Sequence, residues 1–336
     1  MSRQNTEERD RGREAPFSVD LGEGFVGQLL GGLLTRVRRA LADRGWRIRL
    51  MPTDKVDAVD VRQTANHPAS ILYHGERTAE SVLVDLPIDR GYSIEAFPLA
   101  PGGPHPFVCA IQRAEESSNP REAIRRVLAE YYRTVQPTNA AEWLGLSPDE
   151  VPELANAPCC ARLMPWDAET IDERYHGVQS LARSENRRYG KPLGIDHGWK
   201  LCGPVTEPFL ELQTDRLHSL YRSFKEQGLV RHDELDGDIR TAVLIDEHGD
   251  WRWLQCGGGF HRSAVASALG YRTIPVRIWR LIFREHVDLW PQVASGEFSR
   301  RGALKLFDRI FSGRPASVAQ PWAAQYRRST RRRVQS

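Results

Sequence analysis

Apolar residues recur at intervals of three and four positions in several stretches of the chain, which is the spacing of amphipathic helices. In one such stretch Val127, Leu128 and Tyr131 would share a helix face, and Asn119 precedes them as a candidate cap. The same spacing predicts helices over residues 31–45, 120–134, 137–146, 208–227 and 300–311.

Short continuous apolar runs predict strands rather than helices. Two of these runs are separated only by the turn sequence EHGD, which predicts a β-hairpin, and an alanine-rich helix is predicted after it over residues 261–269. Residues 100–106 contain so much proline and glycine that we expect a loop there. The predicted strands are residues 46–51, 70–73, 81–86, 92–98, 241–245, 251–256 and 273–278.

These elements indicate an α+β fold class, with a small mixed sheet in the C-terminal half and a separate α+β domain before it. Residues 158–200 show little periodicity and are rich in arginine, glycine and histidine, which is typical of a linker or a folded loop. The predicted segments are a disordered tail (1–17), an α+β domain of unknown type (18–157), a linker or lid (158–207), the small mixed-sheet domain (208–285), a helical extension (286–314) and a disordered basic tail (315–336).

Composition and net charge restrict the classes of protein to which this chain can belong. The chain has 336 residues, is 40% hydrophobic and carries a net charge of only +3, so it can form a core but lacks an overall nucleic-acid-binding signature. No run approaches the roughly 20 apolar residues that span a bilayer, and the charged N-terminus is unlike a secretory signal. We therefore expect a cytoplasmic protein with no membrane span. The five cysteines lack a C-x-x-C spacing, and we predict no metal site.

A glycine-rich turn carries the main candidate chemistry. The sequence QCGGGFHR, residues 255–262, leads from a predicted strand through three glycines into a predicted helix. Glycine permits positive φ and close approach of a ligand, and the first helical turn offers unpaired N–H groups, which favour phosphate. A purely structural tight turn is the alternative. The candidate phosphate- or nucleotide-binding residues are Gly257, Gly258, Gly259, Phe260, His261, Arg262 and Ser263.

Other residues are candidates for the surroundings of this turn. We expect the Arg262 side chain to be exposed at the helix start, where it and His261 would clasp phosphate. The stretch GIDHGWKLCGP, which contains Lys200, could fold over the turn as a lid or be an ordinary loop. Secondary binding candidates are Cys256, Arg216 and Arg222, and the acidic candidates for a catalytic role are Glu226, Asp246 and Glu247.

The run GGGFHRSAVASALGYRTIPVRI, residues 257–278, resembles the ParB/sulfiredoxin-like superfamily, and the helix sequence RLHSLYRSFKEQGL before the hairpin is similar to its upstream helix. The resemblance extends over roughly 70 residues and implies a small mixed-sheet domain. It also implies binding of ATP or CTP with Mg²⁺, which several members of the superfamily bind at this turn. The N-terminal half resembles only uncharacterised bacterial proteins, which transfers no function.

The sequence differs from the family pattern at the positions that hold the family's catalytic residues. The resemblance implies a cysteine, glutamate or histidine directly before the His-Arg pair, but this chain has Phe260 there. Gly258 stands where the kinase-type pattern has an acidic residue. Cys256 lies on the strand side of the turn and does not substitute for a cysteine on the helix. We therefore expect the turn to keep its phosphate-binding groups, whereas a residue that each known reaction of the family needs is missing.

Three hypotheses follow from these observations. The first is a nucleotide-binding or phosphate-binding module or sensor, whose partner is a nucleoside triphosphate or another phosphorylated small molecule. The second is an ATP- or CTP-dependent phosphotransferase or nucleotide hydrolase, for which the sequence offers no secure acid or base. The third is a DNA-associated adaptor that uses the basic stretch from Arg327 to Arg333. The sequence favours a binding module over an enzyme.

Overall fold

A mixed β-sheet forms the centre of the fold. The computed structural model describes residues 58–74, 81–231 and 238–326. The predicted tail 1–17, helix 31–45, strand 46–51 and the stretch from Arg327 to Arg333 lie outside them. Within the described residues the sheet has six strands: β1 (Val59–Asp60), β2 (Val82–Pro87), β3 (Gly91–Ser93), β4 (Ile239–Ile245), β5 (Trp251–Gly257) and β6 (Thr273–Phe283).

Strands from distant parts of the chain lie side by side in this sheet, in the order β1-β2-β6-β4-β5-β3. β4 and β5 form the predicted antiparallel hairpin, and β6 pairs parallel to β4. On one side β2 pairs antiparallel to β6, and on the other β3 pairs parallel to β5. The strands predicted for segments 18–157 and 208–285 therefore share one sheet and one hydrophobic core.

Helices cover this sheet. Their bounds in the described residues are α1 (Ile71–His74), α2 (Pro106–Glu115), α3 (Pro120–Thr134), α4 (Ala140–Leu144), α5 (Ile171–Arg187), α6 (Glu207–Gln227), α7 (Phe260–Ala268), α8 (Pro291–Ala294) and α9 (Arg300–Phe311). α2 packs against both α3 and α7, and α6 packs against α3 and α7. None of these described helices is long and apolar enough to cross a bilayer.

Most of the predicted periodic elements are confirmed. α3 begins where predicted, and the Asn119 side chain accepts a hydrogen bond from the Glu122 amide at 3.3 Å. α6 ends at Gly228, which has a positive φ of 73°. The hairpin, the helix after it and the strand that follows are also present, although β6 continues to Phe283.

Two of the predicted strands are wrong in whole or in part. Residues 70–73 form the end of a 3₁₀ turn and α1, because Pro68 opens the turn and the His67 ring accepts the Ala69 amide at 3.1 Å. Of residues 92–98, only the start belongs to β3, since the chain reverses between Ser93 and Phe97, with Ala96 at a φ of 69°.

Two segments contain more structure than the sequence pattern predicts. α5 lies within residues 158–207, where no helix is predicted, and α2 follows the proline-rich loop directly. The disorder predicted for 315–336 is wrong for residues 315–326, because residues 320–326 are helical and Trp322 is buried. The Trp322 Nε1–H donates to the Pro104 carbonyl at 2.7 Å, and its ring contacts Tyr131 edge-on.

Candidate functional site

The glycine turn joins β5 to α7 as the sequence predicts. Gly258 and Gly259 have φ values of 62° and 65°, which favour glycine over residues with a Cβ atom. A Cβ at Gly259 would also lie 2.5 Å from Ile239 Cγ1 on the neighbouring strand. α7 begins at Phe260, and no side chain from the described residues caps it. The turn therefore needs glycine for both its conformation and its packing.

Two buried polar side chains hold the turn in place. The Gln255 amide donates to the Gly258 carbonyl at 3.2 Å, and the Ser263 hydroxyl donates to Gln255 Oε1 at 2.9 Å. Both residues are fully buried. Ser263 was a candidate ligand, but its hydroxyl proton goes to Gln255, so its role in the structure is to brace the turn.

A pocket of about 110 Å³ opens beside the turn. The turn and the start of α7 form one wall, α6 forms a second, and α5 together with residues 198–201 forms a third. Its lining includes apolar side chains such as Val178, Leu181 and Phe209. The polar and glycine lining comprises Arg162, Arg174, Glu185, Asn186, Gly198, Lys200, Gln213, Arg216, Gly257 and Gly258.

The lining of the pocket carries more positive than negative charge. Among the described residues, four cationic side chains and one carboxylate, Glu185, line it, and one of the cations, Arg174, also pairs with Asp167 at 2.9 Å. Glu185 pairs with Lys200 Nζ at 3.0 Å and with Arg216 Nη2 at 2.8 Å. Arg216 also lies over the ring of Tyr189, 4.4 Å from its centroid. The guanidinium of Arg162 lies 5.0 and 5.2 Å from the ring centroids of Trp143 and Trp199. Cation–π contacts of this kind hold a guanidinium in place without using its hydrogen-bond donors.

Several donors at the pocket lack acceptors. Among the described residues, no partner is found for Arg162 Nε, for Arg216 Nε and Nη1, or for Gln213 Nε2. The exposed fractions of these residues are only 6%, 7% and 1%. A buried donor without an acceptor costs about 1–3 kcal/mol, and more when the group is charged. The arrangement therefore favours a ligand that supplies several acceptor oxygens and negative charge.

Burial and charge set the protonation of these groups. Burial lowers the pKa of Arg162 to about 10 and also lowers the pKa of Lys200, against the opposing effect of Glu185. Burial alone would raise the pKa of Glu185, but the charges of Lys200 and Arg216 outweigh it and lower this pKa to about 2. Glu185 is therefore ionised at neutral pH.

His261 does not line the pocket itself, but it contacts Gln213, which does. Its ring stacks on Phe107 at 4.7 Å, and its Nε2 lies 3.0 Å from Gln213 Oε1. Burial, followed by the charges of Arg216 and Lys200, lowers the pKa of His261 well below its ordinary value. The neutral ring can donate from Nε2 to Gln213, and this orients the Gln213 amide so that its NH₂ group is left for the pocket.

The structure also corrects the expected position of Arg262. Its side chain is buried, with an exposed fraction of 8%, and it does not line the pocket. The physical reason is that the first turn of α7 packs into the core, where its residues from Phe260 to Ser267 are all buried. Of the turn itself, Gly257, Gly258 and Phe260 reach the pocket. Phe260 lies under the Lys200 ammonium at 4.9 Å.

Of the secondary candidates, Arg216 and Cys256 line the pocket and Arg222 does not. Arg222 is exposed on α6, 3.3 Å from Glu226 Oε1. Burial raises the pKa of Cys256, although the Trp279 Nε1–H donates to its sulfur at 3.1 Å. This thiol is consequently held in its protonated form, which is a poor nucleophile.

The acidic candidates lie away from the turn. Asp246 and Glu247 follow β4, whereas the glycine turn follows β5, so the roughly 20 Å length of the hairpin separates them. Asp246 accepts the amides of His248 and Asp250, and Glu247 pairs with Arg284 at 3.3 Å. Glu226 is exposed on the last turn of α6. These three carboxylates therefore cannot act as acid or base at the glycine turn.

Sequence reasoning did not identify Arg162, Arg174, Glu185 and Gln213. The one available signal was the sequence T-x-x-E at Thr170, which is a capping box and marks the start of α5. Lys200 was considered as part of a lid, and the structure places it in the pocket wall. Within the described ranges, no group of three or more His, Cys, Asp or Glu residues could hold a metal ion.

Comparison with protein-family models, curated proteins and solved structures finds no match to the chain.

Proposed function

We propose that the protein binds a small phosphorylated molecule, with the phosphoryl group at the glycine turn. The observation that supports the proposal is the set of buried donors, without acceptors among the described residues, on Arg162, Arg216 and Gln213, which line the same pocket as Gly258. A phosphoryl group supplies up to three acceptor oxygens and negative charge, which are the partners that donors of this kind lack.

The size of the pocket favours a small ligand, or a larger one of which only the phosphoryl part is enclosed. Its 110 Å³ is several times the roughly 30 Å³ share of one water molecule, but it is below the roughly 300–1,000 Å³ of pockets that enclose a whole ligand. A nucleotide such as ATP or CTP, with or without Mg²⁺, would have to leave its nucleoside outside this volume.

The pocket favours binding over catalysis. Glu185 is the one carboxylate that the described residues contribute to its lining, and two cations hold it ionised. A general base works best with a pKa near the operating pH, which is far from about 2. The Cys256 thiol is protonated, so it offers no nucleophile. We therefore assign the site to a binding module or sensor rather than to a phosphotransferase.

We also propose that residues 208–285 form a ParB/sulfiredoxin-like domain. The order helix, hairpin, glycine turn, helix and parallel strand, which α6, β4, β5, α7 and β6 follow, supports the resemblance. The strands β2 and β3, which flank this unit on both sides, come from outside it.

Calorimetric titration tests the phosphate proposal. We expect inorganic phosphate and small phosphomonoesters to bind the full chain, and Arg216→Met to weaken that binding by roughly 10- to 100-fold, the value of one charge-assisted hydrogen bond. Arg222→Met on the exposed face of the same helix is the matched control and should bind like the parent.

Two results would contradict the proposal: equal phosphate affinity for Arg216→Met and the parent, or no heat and no thermal stabilisation with any phosphorylated ligand. Titration with acetate and citrate in the same buffer separates phosphate recognition from a general preference for anions. Phosphate release from ATP and CTP would show turnover and would contradict the assignment as a binding module.

A further inference from the structure

Two cysteines far apart in sequence have their sulfur atoms in contact. Cys159 and Cys202 are free thiols with their Sγ atoms 3.6 Å apart, and the Cys202 thiol donates to the Cys159 sulfur. Cys202 is fully buried, whereas Cys159 is partly exposed at the start of the 3₁₀ turn Cys159–Ala161. The pair therefore combines the thiol of a partly exposed residue with that of a buried residue beside it.

The position of this pair relates it to the pocket. Cys159 lies three residues before Arg162, and Cys202 lies two residues after Lys200. The chain between them contains α5, which contributes Arg174 and Glu185 to the lining. The two thiols thus lie at the two ends of the chain segment that forms the third wall of the pocket.

We propose that Cys159 and Cys202 are a redox-modification site, whose reversible disulfide closes this wall segment into a loop and slows the exchange of the bound anion. The disulfide itself follows from the geometry of the thiols, and its effect on exchange rests on the proposed phosphate-binding function. A peroxide is the chemical class of oxidant that the site would take.

The reaction proceeds in two steps. The Cys159 thiolate attacks one oxygen of hydrogen peroxide, the O–O bond breaks, and hydroxide leaves as Cys159 becomes a sulfenic acid. The Cys202 sulfur then attacks the Cys159 sulfur, the S–O bond breaks, and the S–S bond forms. The two thiols together lose two protons and two electrons, and the peroxide is reduced to two water molecules.

The surroundings of the cysteines favour Cys159 as the thiol that reacts first with peroxide. The hydrogen bond from Cys202 lowers the pKa of Cys159, and the same hydrogen bond raises the pKa of Cys202. The thiolate, which is the reactive form, therefore forms more readily on Cys159 than on Cys202. Cys160, the neighbour of Cys159, is a poorer competitor because burial raises its pKa to about 11.

Formation of the disulfide needs a small movement. A disulfide has an S–S length of about 2.05 Å, so the sulfurs must approach by roughly 1.5 Å. Cys202 is tied to Trp199 by a β-bridge, and the Leu201 carbonyl accepts the Tyr131 hydroxyl. The partly exposed turn at Cys159 is therefore the side that we expect to move.

Peptide mapping under non-reducing conditions tests the modification. The reduced full chain is treated with a small excess of hydrogen peroxide, quenched by alkylation and digested. We expect one linked peptide pair that joins Cys159 to Cys202, two hydrogen atoms lighter than the sum of the reduced peptides, and restored to thiols by dithiothreitol. Mapping of the oxidation to Cys160, Cys109 or Cys256 instead, or no linked pair, would overturn the proposal.

The second measurement is the dissociation rate of inorganic phosphate in the reduced and oxidised protein, followed by stopped-flow tryptophan fluorescence, to which Trp199 in the pocket lining contributes. We expect a rate roughly fivefold or more slower after oxidation, the effect of restraining a segment that covers a ligand. Cys159→Ala and Cys202→Ser should each abolish the difference, and Cys109→Ser, a buried cysteine away from the pocket, should retain it.

The outcomes separate the two proposals. A Cys159–Cys202 disulfide with an unchanged dissociation rate overturns the effect on exchange. A disulfide in a protein that binds no phosphate in either state overturns the proposed function and, with it, the effect on exchange, while the redox site itself is upheld by the peptide map.

Discussion

Glu185 determines how much positive charge the pocket presents. Its carboxylate neutralises part of the charge of Lys200 and Arg216 and fixes the direction of both side chains. It does not use all their donors, since Arg216 keeps two nitrogens without partners in the described residues. The pocket is therefore held together by an ion-pair network and still has a net preference for anions.

The depressed pKa of Glu185 predicts a pH dependence of stability. A group whose pKa falls from about 4.5 in the unfolded chain to about 2 in the fold stabilises the protein above pH 4.5 and loses this contribution as the pH falls toward 2. A shift of this size in the pKa of Glu185 corresponds to about 3 kcal/mol in the free energy of unfolding at neutral pH. Glu185→Gln should be less stable than the parent at pH 7, and the difference should shrink below pH 4.5.

Urea denaturation at pH 7, 5, 4 and 3 measures this difference in the free energy of unfolding. Because other carboxylates also titrate in this range, the difference between parent and variant is the informative quantity. Glu226→Gln is the control. Within the described part of the chain this exposed carboxylate pairs with exposed Arg222 alone, so its loss should change stability by less than about 1 kcal/mol. A pH-independent difference for Glu185→Gln would contradict the ion-pair interpretation.

Local sequence predicted the glycine turn and pointed to two of the pocket's cations, Lys200 and Arg216, but not to the other two. The turn depends on backbone conformation, which Gly258 and Gly259 reveal directly through their lack of a Cβ. The other two, Arg162 and Arg174, come from parts of the chain distant from the turn, and nothing near them in the sequence distinguishes them from solvated residues. The burial of Arg262 could not be predicted from the sequence either, because it depends on how α7 packs against other elements.

Among the elements, α5 was missed because its hydrophobic periodicity is weak. Of its 17 residues, Asn186 alone is fully buried, and apolar residues such as Tyr175 and Val178 are only partly covered. Its apolar stripe is therefore weak. Helices with a strong stripe, such as α3 and α9, were predicted with their correct bounds. The capping box of α5 was the better signal, since it depends on hydrogen bonding and not on burial.

The capping box at Thr170 leads to a prediction about the stability of α5. The Thr170 hydroxyl accepts the Glu173 amide at 3.2 Å, and loss of such a cap costs about 1 kcal/mol. Thr170→Ala should therefore speed hydrogen exchange in the first turns of α5 roughly fivefold and weaken phosphate binding, because α5 carries one wall of the pocket. Exchange mass spectrometry and calorimetry measure the two effects.

Ser299→Ala is the matched control for this cap. The Ser299 hydroxyl accepts the Gly302 amide at 3.1 Å and caps α9, which contributes nothing to the pocket lining. It should reduce stability by a similar amount and leave phosphate affinity unchanged. Equal effects of the two variants on affinity would mean that α5 does not order the pocket.

At the scale of the whole molecule, the segments predicted from the sequence do not act as separate units. β2 and β3 lie on opposite sides of the strands of segment 208–285, and residues 315–326 pack onto the N-terminal half through Trp322. Hydrophobic periodicity identifies strands and helices one at a time and contains no information on which strands pair. The helix at 320–326 was missed because its arginine-rich surroundings obscured one buried tryptophan.

Trp322 should therefore stabilise the whole molecule. It is completely buried, donates to Pro104 and contacts the ring of Tyr131. Trp322→Ala should lower the free energy of unfolding by about 3–5 kcal/mol. Tyr73→Ala, at an aromatic residue with an exposed fraction of 82%, is the control and should change it by less than about 0.5 kcal/mol. A small loss at Trp322 would mean that the C-terminal helix is not part of the core.

The pairing of β2 with β6 has a consequence for synthesis on the ribosome. β2 finds its antiparallel partner roughly 190 residues later, which at 5–20 residues per second corresponds to about 10–40 s of elongation. During that time one edge of β2 has no partner strand, and such an apolar edge is prone to pair with other chains. Folding must then close a long loop, which slows it. We expect the nascent chain to depend on chaperones until β6 has emerged.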